Sequence, residues 1–341
     1  MKLVSFKVHK DQRLGVLINE QIVDLNSAYA LYLKEIEGRD YPERSASAMI
    51  PPDMIGFLQG GSDSFKEAKK TLRFLKERGR SDLVGLDGER IFLDGGEVRL
   101  SAPVPRPGKV YCMAVNYYDH VTERIRDPVK RRAEIERLKG LRIDIPIIFQ
   151  KPPSLVCGPG APIIKPRSSN KVDYECELAV VIGKKGKYIP KEKAYEYIAG
   201  YTIFIDVSFR DQGFPENIEF DMYRRDINWT KGKGMDNAAP MGPCLVTKDE
   251  IPNPYDPPLR LVTRVNGQER QNNDTSWMII SIPRIIEYLS NGTTLEPGDV
   301  IATGTVAGVA GSWPDGFLKV GDLVECEIQP IGILRHEVVG D

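Results

Sequence analysis

Apolar and polar positions alternate over KLVSFKV, RLGVLIN and QIVDL in the first 25 residues. Alternation with period two predicts three short strands joined by polar turns. Two helical patterns follow, at Asn26–Ile36 and at Ser62–Arg78. In the second, Phe65, Ala68, Leu72 and Leu75 fall at three- and four-residue spacing. APVPRPGK (102–109) then places three prolines in eight residues, which disfavours helix and interrupts strand pairing.

Beyond this segment the pattern is dominated by strands with Gly and Pro turns: VYCMAV, ELAVVIG, GYTIFIDV, LRLVTRVNG, DVIATGT and LVECEIQ. Helices are predicted between them at Lys191–Tyr197 and Ile282–Ser290. The order is not a βα alternation, so a doubly wound sheet is not expected. The prediction is a strand-rich α+β protein. A small N-terminal α+β domain (1–103) precedes a larger domain (104–341) with a mixed or antiparallel β-roll.

Composition adds exclusions. Hydrophobic residues make up 41% and charged residues 28%, enough for a large core. The net charge of -1 offers no bulk attraction to nucleic acid or to an anionic membrane, so neither partner is expected. No run has the length of a signal peptide core or a membrane span. Five scattered cysteines without a CxxC pair read as reduced thiols of a cytoplasmic protein and make cysteine-based zinc improbable.

The candidate chemistry begins at Asp173-Tyr-Glu-Cys-Glu-Leu. On a strand, Glu175 and Glu177 point the same way and Cys176 the other. If that face is buried, the pair needs a cation or strong donors to remain ionised. Otherwise it lies on the wet face of an edge strand. Asp206, at the end of the apolar strand GYTIFIDV, could close a three-carboxylate site. Oxygen ligands without nearby Cys or His suit Mg²⁺ or Mn²⁺, and Ca²⁺ less well.

Of the three histidines, His9 and His336 lie in charged terminal stretches where solvated roles suffice. His120 and Glu123, three apart in NYYDHVTE, share a face if the turn enters a helix. A carboxylate beside imidazole orients the ring and raises its basicity, which suits general-base work; an ordinary helix-start ion pair has the same spacing. Lys233, in the flexible-looking KGKGMD, could bring an ammonium group to an anion or simply belong to a loop. Ala302-Thr-Gly-Thr-Val-Ala-Gly308 offers backbone N–H groups and the Thr305 hydroxyl, which could cradle an oxyanion or merely turn the chain. The segment RIRDPVKRRAEIERLKGLR (124–142) is either a solvated basic helix or a cationic flap over an anionic substrate.

Read in order, several elements carry a resemblance. They are Asn-Tyr-x-x-His-x-x-Glu (116–123), Lys-Pro-x-Ser (151–154), Gly-Pro-Gly (158–160), Asp-Tyr-Glu-x-Glu-Leu (173–178) and Gly-Tyr-Thr-x-Phe-x-Asp-Val-Ser (200–208). Lys-Gly-Met-Asp (233–236), Val-Asn-Gly-Gln (265–268), Ile-Pro-x-Ile-Ile (282–286) and Thr-Gly-Thr (303–305) follow. From about residue 109 to 338 the chain resembles the fumarylacetoacetate hydrolase superfamily. The resemblance implies a homodimer or higher homo-oligomer and Mg²⁺ or Mn²⁺ on Glu175, Glu177 and Asp206. It implies a water-activating dyad of His120 and Glu123, with Lys233 stabilising developing negative charge and Thr305, Lys151 and Arg210 contacting substrate. Two features depart from the pattern. Arg210-Asp211-Gln212-Gly213 sets the glutamine directly after the aspartate, and the stretch between Glu123 and Lys151 is long and basic.

The expected activity is hydrolysis of a carbon–carbon bond in a β-diketone-like 2-oxo acid of acylpyruvate or fumarylacetoacetate type, as in aromatic catabolism. Decarboxylation, hydration or isomerisation of a 2-oxo acid would share the same enolate, and a non-catalytic relative would keep only the metal site.

Overall fold

The computed structural model describes residues 1–79, 83–212 and 228–341; Gly213 lies outside them. Among the described residues twelve strands form one sheet. From one edge its main path runs Phe92–Asp94, Gln21–Asp24, Asp11–Ile18, Lys2–Val8, Ala239–Thr247, Ile198–Ile205, Cys176–Ile182, Val300–Thr305, Val110–Ala114 and Ile147–Gln150. Most neighbours are antiparallel, but Val300–Thr305 runs parallel to Val110–Ala114. The chain is therefore strand-rich and mixed, as its patterning predicts. The N-terminal strands continue the main sheet: Lys2 and Leu3 pair with Val246 and Leu245.

A second sheet of five strands orders as Gln268–Asp274, Arg260–Val265, Leu323–Ile328, Gly332–Gly340 and Ile163–Lys165. The predicted N-terminal helices form at Leu25–Glu35, capped by the Asp24 carboxylate accepting from Ser27 N, and at Gly61–Arg78. Two shorter helices, Pro42–Met49 and Met54–Gln59, escape the periodicity because each spans about two turns or fewer. Lys191–Tyr197 is a 3₁₀ helix, not an α-helix. Among the described residues no helix is long and apolar enough to cross a membrane.

The strand Cys176–Ile182 is buried at every position and lies between Ile198–Ile205 and Val300–Thr305. A strand covered on both faces explains its nearly continuous apolar run. The wet-face alternative for Glu175 and Glu177 therefore does not hold. His336 is also a correction. It lies on the inward face of Gly332–Gly340, between buried Leu334 and Val338, and is only 1% exposed. Strand alternation outweighs the charged neighbours that suggested a solvated role.

Candidate metal centre and catalytic dyad

Glu175, Glu177 and Asp206 arrive on two adjacent central strands, one carrying Glu177 and the other ending just before Asp206. All three are buried, and one oxygen from each lies within 4.8 Å of the others. The three side chains converge on a cavity of about 220 Å³ that is also lined by His120, Phe149, Arg210, Trp229, Lys233 and Thr305.

Charge is unevenly shared among the carboxylates. Arg210 grips both Asp173, through Nε at 2.8 Å, and Glu175. Lys233 Nζ donates to Glu175 Oε2 at 2.6 Å and to Asp206 Oδ2 at 2.5 Å. For Glu175, burial opposes ionisation, but Arg210 and Lys233 outweigh it and hold the carboxyl well below its ordinary range. Glu177 behaves oppositely. Burial first, then the Asp206 and Glu175 charges, push its carboxyl well above the ordinary range, although Gly304 N donates to Oε2 at 2.7 Å. Asp206 Oδ1 lies 2.8 Å from Lys151 Nζ yet accepts no hydrogen bond. The ammonium spends its donors on the carbonyls of Val207, Lys233 and Ala238.

His120 stands on a five-residue helix, Tyr118–Thr122, whose end is Glu123. Its Nδ1 lies 2.7 Å from Glu123 Oε1. Glu123 Oε2 accepts from Gly308 N at 2.8 Å and from Ser312 Oγ at 2.9 Å. Burial alone would lower the imidazole's affinity for a proton. The hydrogen bond to Glu123 and the charge of Glu175 reverse that and raise it above the ordinary value. Just before this helix, Val115 lines the cavity with φ 49, a left-handed conformation that strains a β-branched residue. Asn116 braces the turn through its amide, donating to Ile280 O and Thr303 O and accepting from Ile280 N.

Seven of the nine predicted site residues line the cavity, Glu123 and Lys151 stand just behind it, and several settings differ from expectation. Lys233 is not on a loop; it ends the helix Trp229–Lys233 and is buried. Lys151 does not line the cavity. Its buried ammonium ties three backbone segments together, donating to the carbonyls of Val207, Lys233 and Ala238. The stretch Ala302–Gly308 does cradle anions, but they belong to the protein. Gly304 N holds Glu177, Ala307 N holds Asp119 at 3.0 Å, and Gly308 N holds Glu123. The Thr305 hydroxyl donates to Cys176 O and accepts from Gln271 Nε2, so it lines the cavity already engaged. Arg210 reaches the cavity while committed to Asp173 and Glu175.

Sequence reasoning missed Asp173, Asp119 and Gln271. Gln271 is fully buried and joins Thr305 to the Cys176 backbone, accepting from Cys176 N at 3.1 Å. Asp173 and Asp119 sit beside residues already singled out, but the partners that tie them to the site, Arg210, Ala310, Asn273 and Ala307, lie 37 or more positions away. Phe149 and Trp229 were also missed. They form an edge-on pair at 5.0 Å, and the Lys233 ammonium lies 5.1 Å from the centre of the Phe149 ring.

Residues 109–339 match the fumarylacetoacetate (FAA) hydrolase C-terminal family. The chain belongs to the fumarylacetoacetate hydrolase family. It is 36% identical to oxaloacetate tautomerase YisK of Bacillus subtilis (strain 168), over 99% of this chain and 100% of that protein. It is 38% identical to the mitochondrial oxaloacetate tautomerase FAHD2A of Bos taurus, over 85% of this chain and 81% of that protein. A solved structure, maleylpyruvate hydrolase from Sphingobium sp. SYK-6 in complex with manganese (II) ion and pyruvate, aligns over 100% of this chain and 99% of that one. Its TM-score is 0.64 and its identity 26%.

The family's metal chemistry fits the residues present. The cluster consists only of carboxylate oxygens, the donors hard divalent cations select. Glu177 is the carboxyl that the protein's own cations leave least compensated, and Asp206 keeps an oxygen free of hydrogen bonds. A cation bound there answers both deficits.

Proposed function

We propose that the protein is a divalent-metal-dependent tautomerase of a small 2-oxo acid of oxaloacetate type. The observation that carries the reading is the 220 Å³ cavity, in which an oriented imidazole faces three buried carboxylates and an ammonium group. A cavity of that size suits a four- or five-carbon acid better than a bulky one. The oxaloacetate tautomerases among the relatives support the same substrate class.

Mg²⁺ or Mn²⁺ on Glu175, Glu177 and Asp206 would supply Lewis acidity at the 2-oxo group. His120, free at Nε2, takes the proton from the carbon between the two carbonyls and delivers it to the enolate oxygen to give the enol, and runs the same transfer in reverse, from enol oxygen to carbon, in ketonisation. Glu123 holds the ring by Nδ1 and is itself fixed by Gly308 and Ser312. Lys233 adds positive charge where the enolate oxygen develops, and Arg210 keeps Glu175 ionised and in place.

Hydrolysis of a carbon–carbon bond is the second reading, and the dyad favours it. The same base can take a proton from water that attacks a carbonyl remote from the 2-oxo group. The maleylpyruvate hydrolase among the structural neighbours supports this course. A panel of oxaloacetate, acylpyruvates and 2-oxo-alkenoates, assayed with Mg²⁺ or Mn²⁺ and after chelation, separates the two. Metal-dependent acceleration of oxaloacetate ketonisation supports the tautomerase. Release of pyruvate from an acylpyruvate with no effect on oxaloacetate overturns it in favour of the hydrolase.

A further inference from the structure

The basic segment 124–142 plays no part in the metal cavity. Its helix, Pro128–Lys139, instead walls a second cavity of about 810 Å³, which Glu123 borders and His120 does not. Three guanidinium groups line this space, and among the described residues none of them pairs with a carboxylate. Arg131 donates to the Asp119 carbonyl oxygen at 2.9 Å and to the Thr122 hydroxyl. Arg132 lies one position further along the same helix. Arg270 reaches only the Gln268 amide oxygen, at 3.2 Å, and its Nε is buried without a hydrogen-bond partner.

Three carboxylates also line it, Asp119, Glu123 and Glu136, the last 3.4 Å from Lys139 Nζ. Asp119 accepts from Asn273 and Ala307, and Glu123 accepts from Gly308 and Ser312 while facing His120. With Lys139, four cations face these three carboxylates, so the cavity carries one positive charge in excess. It also carries two indole rings, each already beside a cation. Arg270 lies 4.9 Å from the centre of the Trp313 ring, and Lys139 lies 5.4 Å from that of Trp277.

We propose that this cavity is a binding site for a planar organic anion, a ring carrying carboxylate or phosphate groups. Guanidinium forks recognise carboxylate and phosphate oxygens in pairs, and their flat faces stack on rings as indoles do. The volume falls within the range of roughly 300–1,000 Å³ typical of small-molecule sites. Gly308 and Ser312, which hold Glu123, line the same cavity, so an occupant touches the groups that position the dyad. The binding step does not depend on the reaction proposed above.

Trp277 and Trp313 are two of the chain's three tryptophans, and the third, Trp229, lines the metal cavity. In Trp229→Phe enzyme loaded with Mg²⁺, tryptophan emission therefore reports this site alone. Titration with adenosine monophosphate, phthalate and inorganic phosphate tests the proposal. Saturable quenching by the nucleotide marks a phosphate ligand, and by phthalate a carboxylate ligand; either supports the site. Arg132 is exposed on its helix, so Arg132→Glu leaves the fold and Mg²⁺ binding intact, and it weakens the quenching ligand about tenfold or more. Trp313→Ala removes the larger part of the quenching. The proposal is overturned if neither ring-bearing anion quenches saturably. Equal affinity in the Arg132→Glu and wild-type backgrounds, or inorganic phosphate binding as tightly as the ring-bearing anions, overturns it as well.

Discussion

The carboxylate cluster and the dyad face each other across one small cavity, but they are built by different means. Glu177 and Asp206 are set by two hydrogen-bonded strands in the middle of the large sheet, and their cations arrive buried. His120 and Glu123 stand on a five-residue helix held by hydrogen bonds from other segments, from Asn273 and Ala307 onto Asp119 and from Gly308 and Ser312 onto Glu123. Strand pairing fixes the cluster rigidly, as metal selection by oxygen ligands requires. The dyad is fixed by a few hydrogen bonds from distant segments, so its geometry is easier to disturb without harming the fold. Metal affinity and proton transfer should therefore be separable by mutation.

The largest effect is expected at the cluster. Asp206→Ala removes a proposed ligand and leaves Lys233 with Glu175 as its one carboxylate partner among the described residues. Mn²⁺ affinity, read by calorimetry, falls by more than the roughly 100-fold that losing a residue behind a ligand costs, and turnover goes with it. Next is the dyad. His120→Ala should lower turnover by about 10²- to 10⁴-fold while Mn²⁺ affinity stays at the wild-type value. A parallel loss of metal would erase the distinction between the two regions.

Much of this division was legible in the sequence. Alternation placed Glu175 and Glu177 on one face, and three-residue spacing placed His120 beside Glu123, because both arrangements are local. The fold class was legible for the same reason, from strand patterning. The supporting contacts were not. Lys151 meets Val207, Lys233 and Ala238 over separations of 56 to 87 residues, and Gly308 meets Glu123 over 185. No local pattern reports which donors close such distances. Hence Lys151 and Thr305 read as substrate contacts although their polar groups are already bound within the protein. His336 misled in another way: charged neighbours in sequence hid a strand position whose side chain faces the core.

A finer probe of the comparison is Lys151→Met. It leaves three buried carbonyls without their shared donor, and denaturant unfolding should show a loss of about 3–5 kcal/mol. Mn²⁺ affinity should fall about 10- to 100-fold through the loosened Asp206 and Lys233. An unchanged affinity in the folded variant would mean that strand pairing alone positions the cluster.

Glu123→Gln sharpens the other side. The base works only when His120 is neutral, and its proton affinity is raised above the ordinary value of 6.5. kcat/KM should therefore rise with pH through a value above 6.5 in the wild type. With the carboxylate charge gone, that limb should move to lower pH, and the maximal rate should fall about tenfold. A limb that stays in place would assign the titration to another group.

The smallest effect concerns stability alone. Burial lowers the proton affinity of His336 below the ordinary 6.5, while its Nδ1 lies 2.5 Å from Ala161 O. Above that pH both folded and unfolded chains hold the ring neutral, and it contributes nothing to pH dependence. As pH falls through 6.5 the unfolded chain takes up the proton first, so the folded state loses stability. His336→Leu should flatten that decline in unfolding midpoints between about pH 7 and 5, without altering the dyad's pH profile.

The most direct test of the central claim is proton exchange at the carbon next to the 2-oxo group of oxaloacetate in deuterated water, followed by NMR with Mg²⁺-loaded enzyme. The account predicts fast exchange by the wild type and almost none by His120→Ala, although that variant binds Mg²⁺ as tightly. Wild-type exchange by Mg²⁺-loaded His120→Ala would contradict it, because the carboxylate cluster would then suffice without the dyad.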